Sequence, residues 1–381
     1  GLALFASITP SPLYGIYSQL WDFSPVVLTL IYGTYAFGVL TTLILAGRIS
    51  DEVGRRPVLL VALGTLLATT VLYMLAQSVA WLFVARGLQG LATGLALAAA
   101  SAALLDLHPR RDPAGVGLTN GVVSAGGIGL GMLVSATAVQ LLPAPRVVPY
   151  VILASLFAIA FVGALLMPEP VADRTQPRLM PQKPTVPPVV RRPFLLAGLG
   201  VLSSWSIGGL FFSLGPSLSA EVFGTTNHIV TGLSVVVLAG SGAIAQVVFG
   251  RSAPWLGTAA GSVALASGLL IIVASAAENS GALLMLGAVI GGAGFGVAFL
   301  GSLRGLSAAI PHEHRAQVMS AFYVVAYASL SLPAVLAGIV VTSLGLESTF
   351  EIFGSVIAAL ALLLAFEATR TRPRPVALAA A

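Results

Sequence analysis

The sequence contains no cysteine, which excludes disulfides, thiolate chemistry and cysteine-based metal sites. Charge is almost as scarce: 8% of the 381 residues are charged, against about 25% in soluble domains. Lysine is represented by Lys183 alone, set among prolines, so no glycine-lysine loop exists to cradle a nucleotide phosphate and ATP-driven chemistry is not expected. No nucleophile, base and orienting group share a polar segment, so no enzyme is expected. His312 and His314 lie two residues apart without a third ligand nearby. With His108 they read as solvated loop residues, and neither a metal nor any other cofactor is expected. No cleavable signal peptide is visible. The first residue is Gly1, inside an apolar run, so residues preceding it are expected.

Apolar residues fill the space that charge leaves. They make up 57% of the chain and the mean hydropathy is +1.00, well beyond the soluble range. A run of about 20 apolar residues spans a bilayer core, and such runs recur at 2–20, 25–46, 58–77, 81–105, 114–142, 148–167, 194–214, 227–250, 257–277, 281–305, 315–342 and 346–367. The expected fold class is therefore an all-α integral membrane protein with twelve transmembrane helices. Several runs contain Pro or multiple Gly, which membrane helices tolerate.

The basic residues show how the helices thread. One face collects Arg48, Arg55, Arg56, Arg110, Arg111, Arg174, Arg178, Lys183, Arg191, Arg192, Arg251, Arg304, Arg315, Arg370, Arg372 and Arg374. The other face has Arg146, and Arg86 falls inside a helix. That asymmetry places both termini in the cytoplasm. It accounts for the formal charge of +5 without a nucleic-acid partner. Arginine outnumbers lysine seventeen to one, as expected of a GC-rich bacterial genome.

The densest charge cluster is the loop 47–57, Gly-Arg-Ile-Ser-Asp-Glu-Val-Gly-Arg-Arg-Pro, in which five of eleven residues are charged. Gly47 and Gly54 permit tight turning between two membrane helices, Asp51 suits a helix N-terminus, and Arg55 and Arg56 suit phosphate or carboxylate. The pattern Gly-x-x-x-Asp-x-x-Gly-Arg-Arg resembles the loop signature of the major facilitator superfamily of secondary transporters. That resemblance implies a cytoplasmic latch formed by Gly47, Arg48, Asp51, Gly54, Arg55 and Arg56, with the start of helix eleven near Arg315 as the contact of Asp51. On the residues alone, a solvated loop that sets topology is the other reading.

A degenerate internal repeat agrees. At a shift of 203, Gly47, Arg48 and Gly54 meet Gly250, Arg251 and Gly257; at 202, Gly90, Gly94 and Pro109 meet Gly292, Gly296 and Pro311; at 204, Pro12 meets Pro216. Parallel six-helix repeats are the architecture of that superfamily. The resulting domains are a six-helix bundle at 1–167, a Pro-rich cytoplasmic linker at 168–193, a second bundle at 194–367 and a cytoplasmic tail at 368–381. The linker holds eight prolines and five basic residues, a composition that stays extended.

Arg86, Gln89 and Gly90 form the string Arg-Gly-Leu-Gln-Gly in helix four, which resembles the superfamily's helix-four motif and implies a role in coupling or substrate binding. An intramembrane Arg is a functional candidate on physical grounds, although so close to the helix end its stem could also snorkel to water. Helix five carries Gly121, Gly126, Gly127, Gly129 and Gly131 and partly resembles an antiporter motif, with Gly126 standing where that motif has Pro. Close helix packing explains the same glycines.

In the superfamily, helices one, four, seven and ten line a central cavity. The corresponding substrate candidates are Tyr14, Tyr17, Gln19, Trp205, Phe211 and Phe212, joined by Asn120 of helix five, with hydroxyls at Thr9, Ser11, Thr93, Ser203, Ser204, Ser206 and Ser213. A cavity of aromatics and hydroxyls suits an amphipathic solute. Aromatics of this kind also serve as interfacial anchors or packing residues. No carboxylate falls in mid-helix; Asp22 and Glu221 near the outer face are the candidate proton sites. Asp106 and Arg304, at the inner ends of helices four and ten, are candidates for an inner-gate ion pair. A local bond from Asp106 to Arg110 or Arg111 is the alternative. The resemblance thus implies a monomeric secondary transporter of a bacterial inner membrane, in contact with lipid, a small solute and protons. Proton-coupled efflux is the leading expectation; uptake or facilitated diffusion, and a transporter-like receptor, are the alternatives.

Overall fold

The computed structural model describes residues 1–47, 49–108, 113–171 and 185–370, and among them it is helical with no strand. Arg48, Arg110, Arg111, Arg174, Arg178, Lys183, Arg372 and Arg374 lie outside the described residues. The helices are α1 (Leu2–Ile8), α2 (Tyr14–Trp21), α3 (Pro25–Ala46), the short α4 (Ile49–Val53), α5 (Arg55–Met74), α6 (Val79–Leu107), α7 (Pro113–Leu141), α8 (Val148–Leu166), α9 (Arg191–Phe223), α10 (His228–Phe249), α11 (Pro254–Ala277), α12 (Gly281–Ala309) and α13 (Arg315–Arg370).

Among the described residues, ten segments are long and apolar enough to cross a membrane. The last, α13, counts twice: its 56 residues break at Gly345, whose φ of 80° and ψ of 175° no helix contains. The interrupted pair α1 and α2 completes twelve spans, as the apolar runs predict. Lipid-facing side chains such as Phe37, Ile159, Leu166 and Ile244 are large, apolar and exposed, the arrangement a bilayer requires and water does not favour.

Prolines decide where these spans depart from plain helix. The run at 2–20 is not one helix: Pro10 and Pro12 interrupt it, and Ser11–Leu13 form a single 3₁₀ turn. A proline has no N–H to give to the carbonyl four residues earlier, so Pro10 frees the carbonyl of Ala6. By contrast, Pro216 sits inside α9, which continues past the expected end near 214 to Phe223. Here the freed carbonyl belongs to Phe212. Both carbonyls find side-chain donors elsewhere in the molecule: the Gln89 amide donates to Ala6 O at 3.0 Å and the Ser11 hydroxyl to Phe212 O at 2.8 Å. Satisfying them matters because an unpaired buried carbonyl costs about 1–3 kcal/mol.

Two six-helix bundles result. In the first, α6 packs against α3 and α5, α5 against α8, and α1 against α7; in the second, α12 packs against α9, α10 and α11, and α13 against α9 and α11. Between the bundles, α7 packs on α10 and α3 on α13. In span order these are the fifth on the eighth and the second on the eleventh, two contacts that the sequence repeat exchanges.

Candidate functional site

A cavity of about 550 Å³ lies between the bundles. Its wall includes Ser7 of α1, Tyr32 and Tyr35 of α3, Asn120 and Ser124 of α7, Trp205 and Phe212 of α9, Gln246 of α10, Phe295 and Phe299 of α12, and Ser320, Tyr323 and Tyr327 of α13. At one end it reaches Gly47, Ser50, Asp51 and Arg55, so it runs to the charged loop. Away from that loop the bundles are joined by polar bonds: Ser11 to Phe212, and the backbone N–H of His228 to the Gln140 side chain at 2.8 Å. Leu13, Tyr14, Tyr17, Leu210 and Phe211 are buried on this side. The cavity is therefore sealed toward one face and extends to the loop at the other.

The loop end is organised around Arg55. Its guanidinium pairs with Asp51 on α4, with Asp106 at the end of α6 at 3.0 Å, and with the Ser50 hydroxyl at 2.9 Å. The backbone N–H groups of Arg55 and Arg56, which open α5, donate to the two carboxylate oxygens of Glu169, each at 2.9 Å. An anion belongs there, since the first N–H groups of a helix have no helical partner. Gly54 makes the approach possible: its φ is 113°, and a Cβ there would collide with the Glu169 carboxylate. The segment that follows α8 is thus moored to the loop.

Arg86 sits behind the cavity wall and is fully buried. Its Nε donates to the Tyr14 hydroxyl at 2.7 Å, and its Nη1 to Ser7 O at 2.7 Å and Gln89 Oε1 at 2.8 Å. The rings of Tyr14, Tyr32 and Tyr35 surround the guanidinium, with centroids 5.6–5.9 Å from its central carbon. Gln89 also reaches Ala6 O, and the Tyr73 hydroxyl lies 3.4 Å from its oxygen. The break in the first span therefore presents acceptors that Arg86 and Gln89 fill. Gly90 acts differently, through its lack of a side chain. A Cβ there would strike the Tyr35 carbonyl, so Gly90 sets the close approach of α3 and α6.

A family model described as Major Facilitator Superfamily matches residues 1–299, more than three quarters of the sequence. The chain belongs to the Major Facilitator Superfamily. It is accordingly a membrane transporter of a solute and not an enzyme. No curated protein matches it in sequence. Among solved structures, the human organic anion transporter MFSD10 (TETRAN) is similar, with a TM-score of 0.67, 21% identity and 96% of each chain covered. At that identity the likeness speaks for the fold.

Within this superfamily member, the structure places the sequence-predicted residues unevenly. Asn120, Trp205 and Phe212 line the cavity. Tyr14, Tyr17 and Phe211 are buried outside its wall: Tyr14 holds Arg86, Tyr17 lies 3.4 Å from the Tyr150 hydroxyl, and Phe211 packs edge-on against Phe350. Gln19, Asp22 and Glu221 are exposed at the helix ends. They stand apart from the cavity because the first span ends at Trp21, and Asp22 turns the chain with a φ of 48°. Asp106 and Arg304 are not brought together. Asp106 is held by Arg55, while Arg304 donates to Gly250 O at 2.5 Å and Ser252 O at 3.0 Å, capping the end of α10. Asp51 pairs within its own loop, four residues from Arg55, and Arg315 is exposed. Arg86 does not snorkel, since its whole head is inside the bundle. Arg48 lies outside the described residues.

The sequence reading missed Tyr32, Tyr35, Gln246, Phe295, Phe299, Ser320, Tyr323 and Tyr327. Spacing was the available signal: Tyr32 and Tyr35 are three apart, and Tyr323 and Tyr327 four apart. Each pair shares one face of an otherwise apolar helix. Gln246 is a lone amide in such a helix.

Proposed function

We propose that this transporter exports a small amphipathic solute by alternating access, with the charged loop on the cytoplasmic side of a bacterial inner membrane and protons as the coupling ion. The observation that carries the reading is the cavity between the bundles, sealed toward one face and extending to the loop at the other. Its size falls in the range of small-molecule sites, about 300–1,000 Å³. Rings and aliphatic groups dominate its wall, with hydroxyls and amides interspersed. The loop-end arrangement corresponds to a cytoplasm-facing state under the positive-inside assignment of the termini. Rocking of the two halves, 1–167 and 194–367, about the linker would expose the cavity alternately. In this scheme the monomer is sufficient, and the Asp51–Arg55–Asp106 cluster is the part of the latch carried by the first half.

A specific observation favours a second reading, uncoupled facilitated passage. Among the described residues lining the cavity, Asp51 is the only acidic one, and it is already paired with Arg55. Purified protein in liposomes with a pH-sensitive dye inside separates the readings. Solute-driven proton movement supports coupled export, and solute flux indifferent to an imposed pH gradient supports facilitation. No flux across a panel of amphipathic acids, amines and neutral compounds would reject transport of this solute class.

A further inference from the structure

We propose that the solute carries a single negative charge, a carboxylate or comparable anionic group, and that its charged end seats against Tyr35 in front of Arg86. This rests on the transport reading above and names the substrate class of the same cavity. Arg86 is the only charged residue among the described residues whose side chain is fully buried. A guanidinium has five N–H donors, and here three are used, all on neutral acceptors: a phenol, a carbonyl and an amide. The two on Nη2 have no partner. Among the described residues, the membrane-embedded wall supplies no carboxylate to neutralise the group, and tyrosine faces are its nearest compensation.

This positive charge stands directly behind the cavity. Ser7, Tyr32 and Tyr35 touch Arg86 or enclose it and also line the cavity. The Tyr35 hydroxyl lies near those of Thr93 and Ser7, yet it makes no well-formed hydrogen bond although it is buried. It is an unpartnered hydroxyl on a wall residue, with a cation against its ring. On the other half the wall changes character. Trp205 packs with Phe299 and Tyr327 at centroid distances of 5.6 and 5.1 Å, and its indole N–H is also unpartnered. A solute with an anionic head and an aromatic or aliphatic body matches both ends at once. The guanidinium carbon lies 5.6 Å from the Tyr35 ring centroid, so an anion on the cavity side of that ring would lie on the order of 8 Å from the charge. At an effective dielectric of about 20, one unit charge at that separation favours the anion over a neutral isostere by about thirtyfold. It disfavours a cation by a similar factor.

The test compares 4-phenylbutyrate, its neutral amide and 4-phenylbutyl-trimethylammonium, by calorimetric binding in detergent and by flux into liposomes. Phenylbutyrate is expected to bind at least tenfold tighter than the amide, with the ammonium weakest. In Arg86→Gln the carboxylate preference should collapse to within threefold while amide binding persists. Should that variant fail to fold, Tyr35→Phe, which keeps the ring and removes the donor, should lower the preference severalfold. Equal or tighter binding of the amide or the ammonium by the unaltered protein overturns the proposal, as does a carboxylate preference that survives Arg86→Gln. Flux of all three probes without charge preference sinks the anion site and leaves transport standing. Carboxylate-selective binding without flux sinks transport and leaves the site.

Discussion

Replacing Ser11 by Ala should shift the transporter toward the arrangement in which the cavity opens on the face away from the loop. In the present structure the Ser11 hydroxyl donates to the Phe212 carbonyl at 2.8 Å, with both residues buried. Phe212 cannot be satisfied within its own helix, because the residue four positions later is Pro216. Removing the hydroxyl therefore strands a buried carbonyl in this state, at a cost of about 1–3 kcal/mol. When the halves part on that face, water reaches the carbonyl and the cost vanishes. The equilibrium should move by about 5-fold to about 150-fold. The chain has no cysteine, so nitroxides can be placed cleanly at Gln19→Cys and Glu221→Cys, exposed positions on the two halves. Electron-resonance distance distributions should gain a longer component in Ser11→Ala. Pro216→Ala restores a main-chain N–H for Phe212, so adding Ser11→Ala to that background should move the distribution little. An unchanged distribution in the single variant, or an equal shift in both backgrounds, would refute the reasoning.

Three further outcomes follow from the same geometry. Gln89→Leu strands Ala6 O and removes an acceptor from Arg86, costing about 2–5 kcal/mol for the two lost bonds; heat-inactivation half-lives in detergent should shorten, and adding Pro10→Ala should recover part of the loss. Glu169→Gln leaves one oxygen where two now accept the Arg55 and Arg56 N–H groups, so hydrogen exchange at the start of α5 should quicken while that of α11 stays unchanged. Gly90→Ala forces a Cβ onto the Tyr35 carbonyl, and overpacking of about 1–3 kcal/mol should appear as earlier aggregation on heating.

The spans were legible because a bilayer imposes length and apolarity on each one separately. Ends were legible to within a few residues except where proline intervened. Pro12 and Pro216 align in the sequence repeat, yet the first span breaks around its prolines and α9 runs straight through its own. The first span carries a second proline, Pro10, whose counterpart 204 residues on is Leu214, and two prolines so close together interrupt a helix that tolerates one. The cavity was harder to read. An apolar helix in lipid has no polar face to betray its orientation, so Tyr32, Tyr35 and Tyr327 could be assigned to the wall only once α3 and α13 were seen packed together. Charge pairing followed proximity in the same way: Arg55 is four residues from Asp51 and reaches Asp106, whereas Arg304 lies beside the carbonyl end of α10.

The two proline-freed carbonyls also differ in what they can do. Ala6 O is satisfied by Gln89, a residue of the same half, and Gln89 in turn braces Arg86. Nothing in that chain of contacts crosses between the bundles, so it can persist whichever face is open, and it fixes a buried cation beside the cavity. Phe212 O is satisfied by Ser11 of the opposite half, so its bond exists only while the halves meet on that side. One break is therefore structural support for a charge and the other a clasp between moving parts. Rigid-body rocking demands this division: the groups that position a solute must travel with their bundle, and the groups that hold a face shut must be shared between the two.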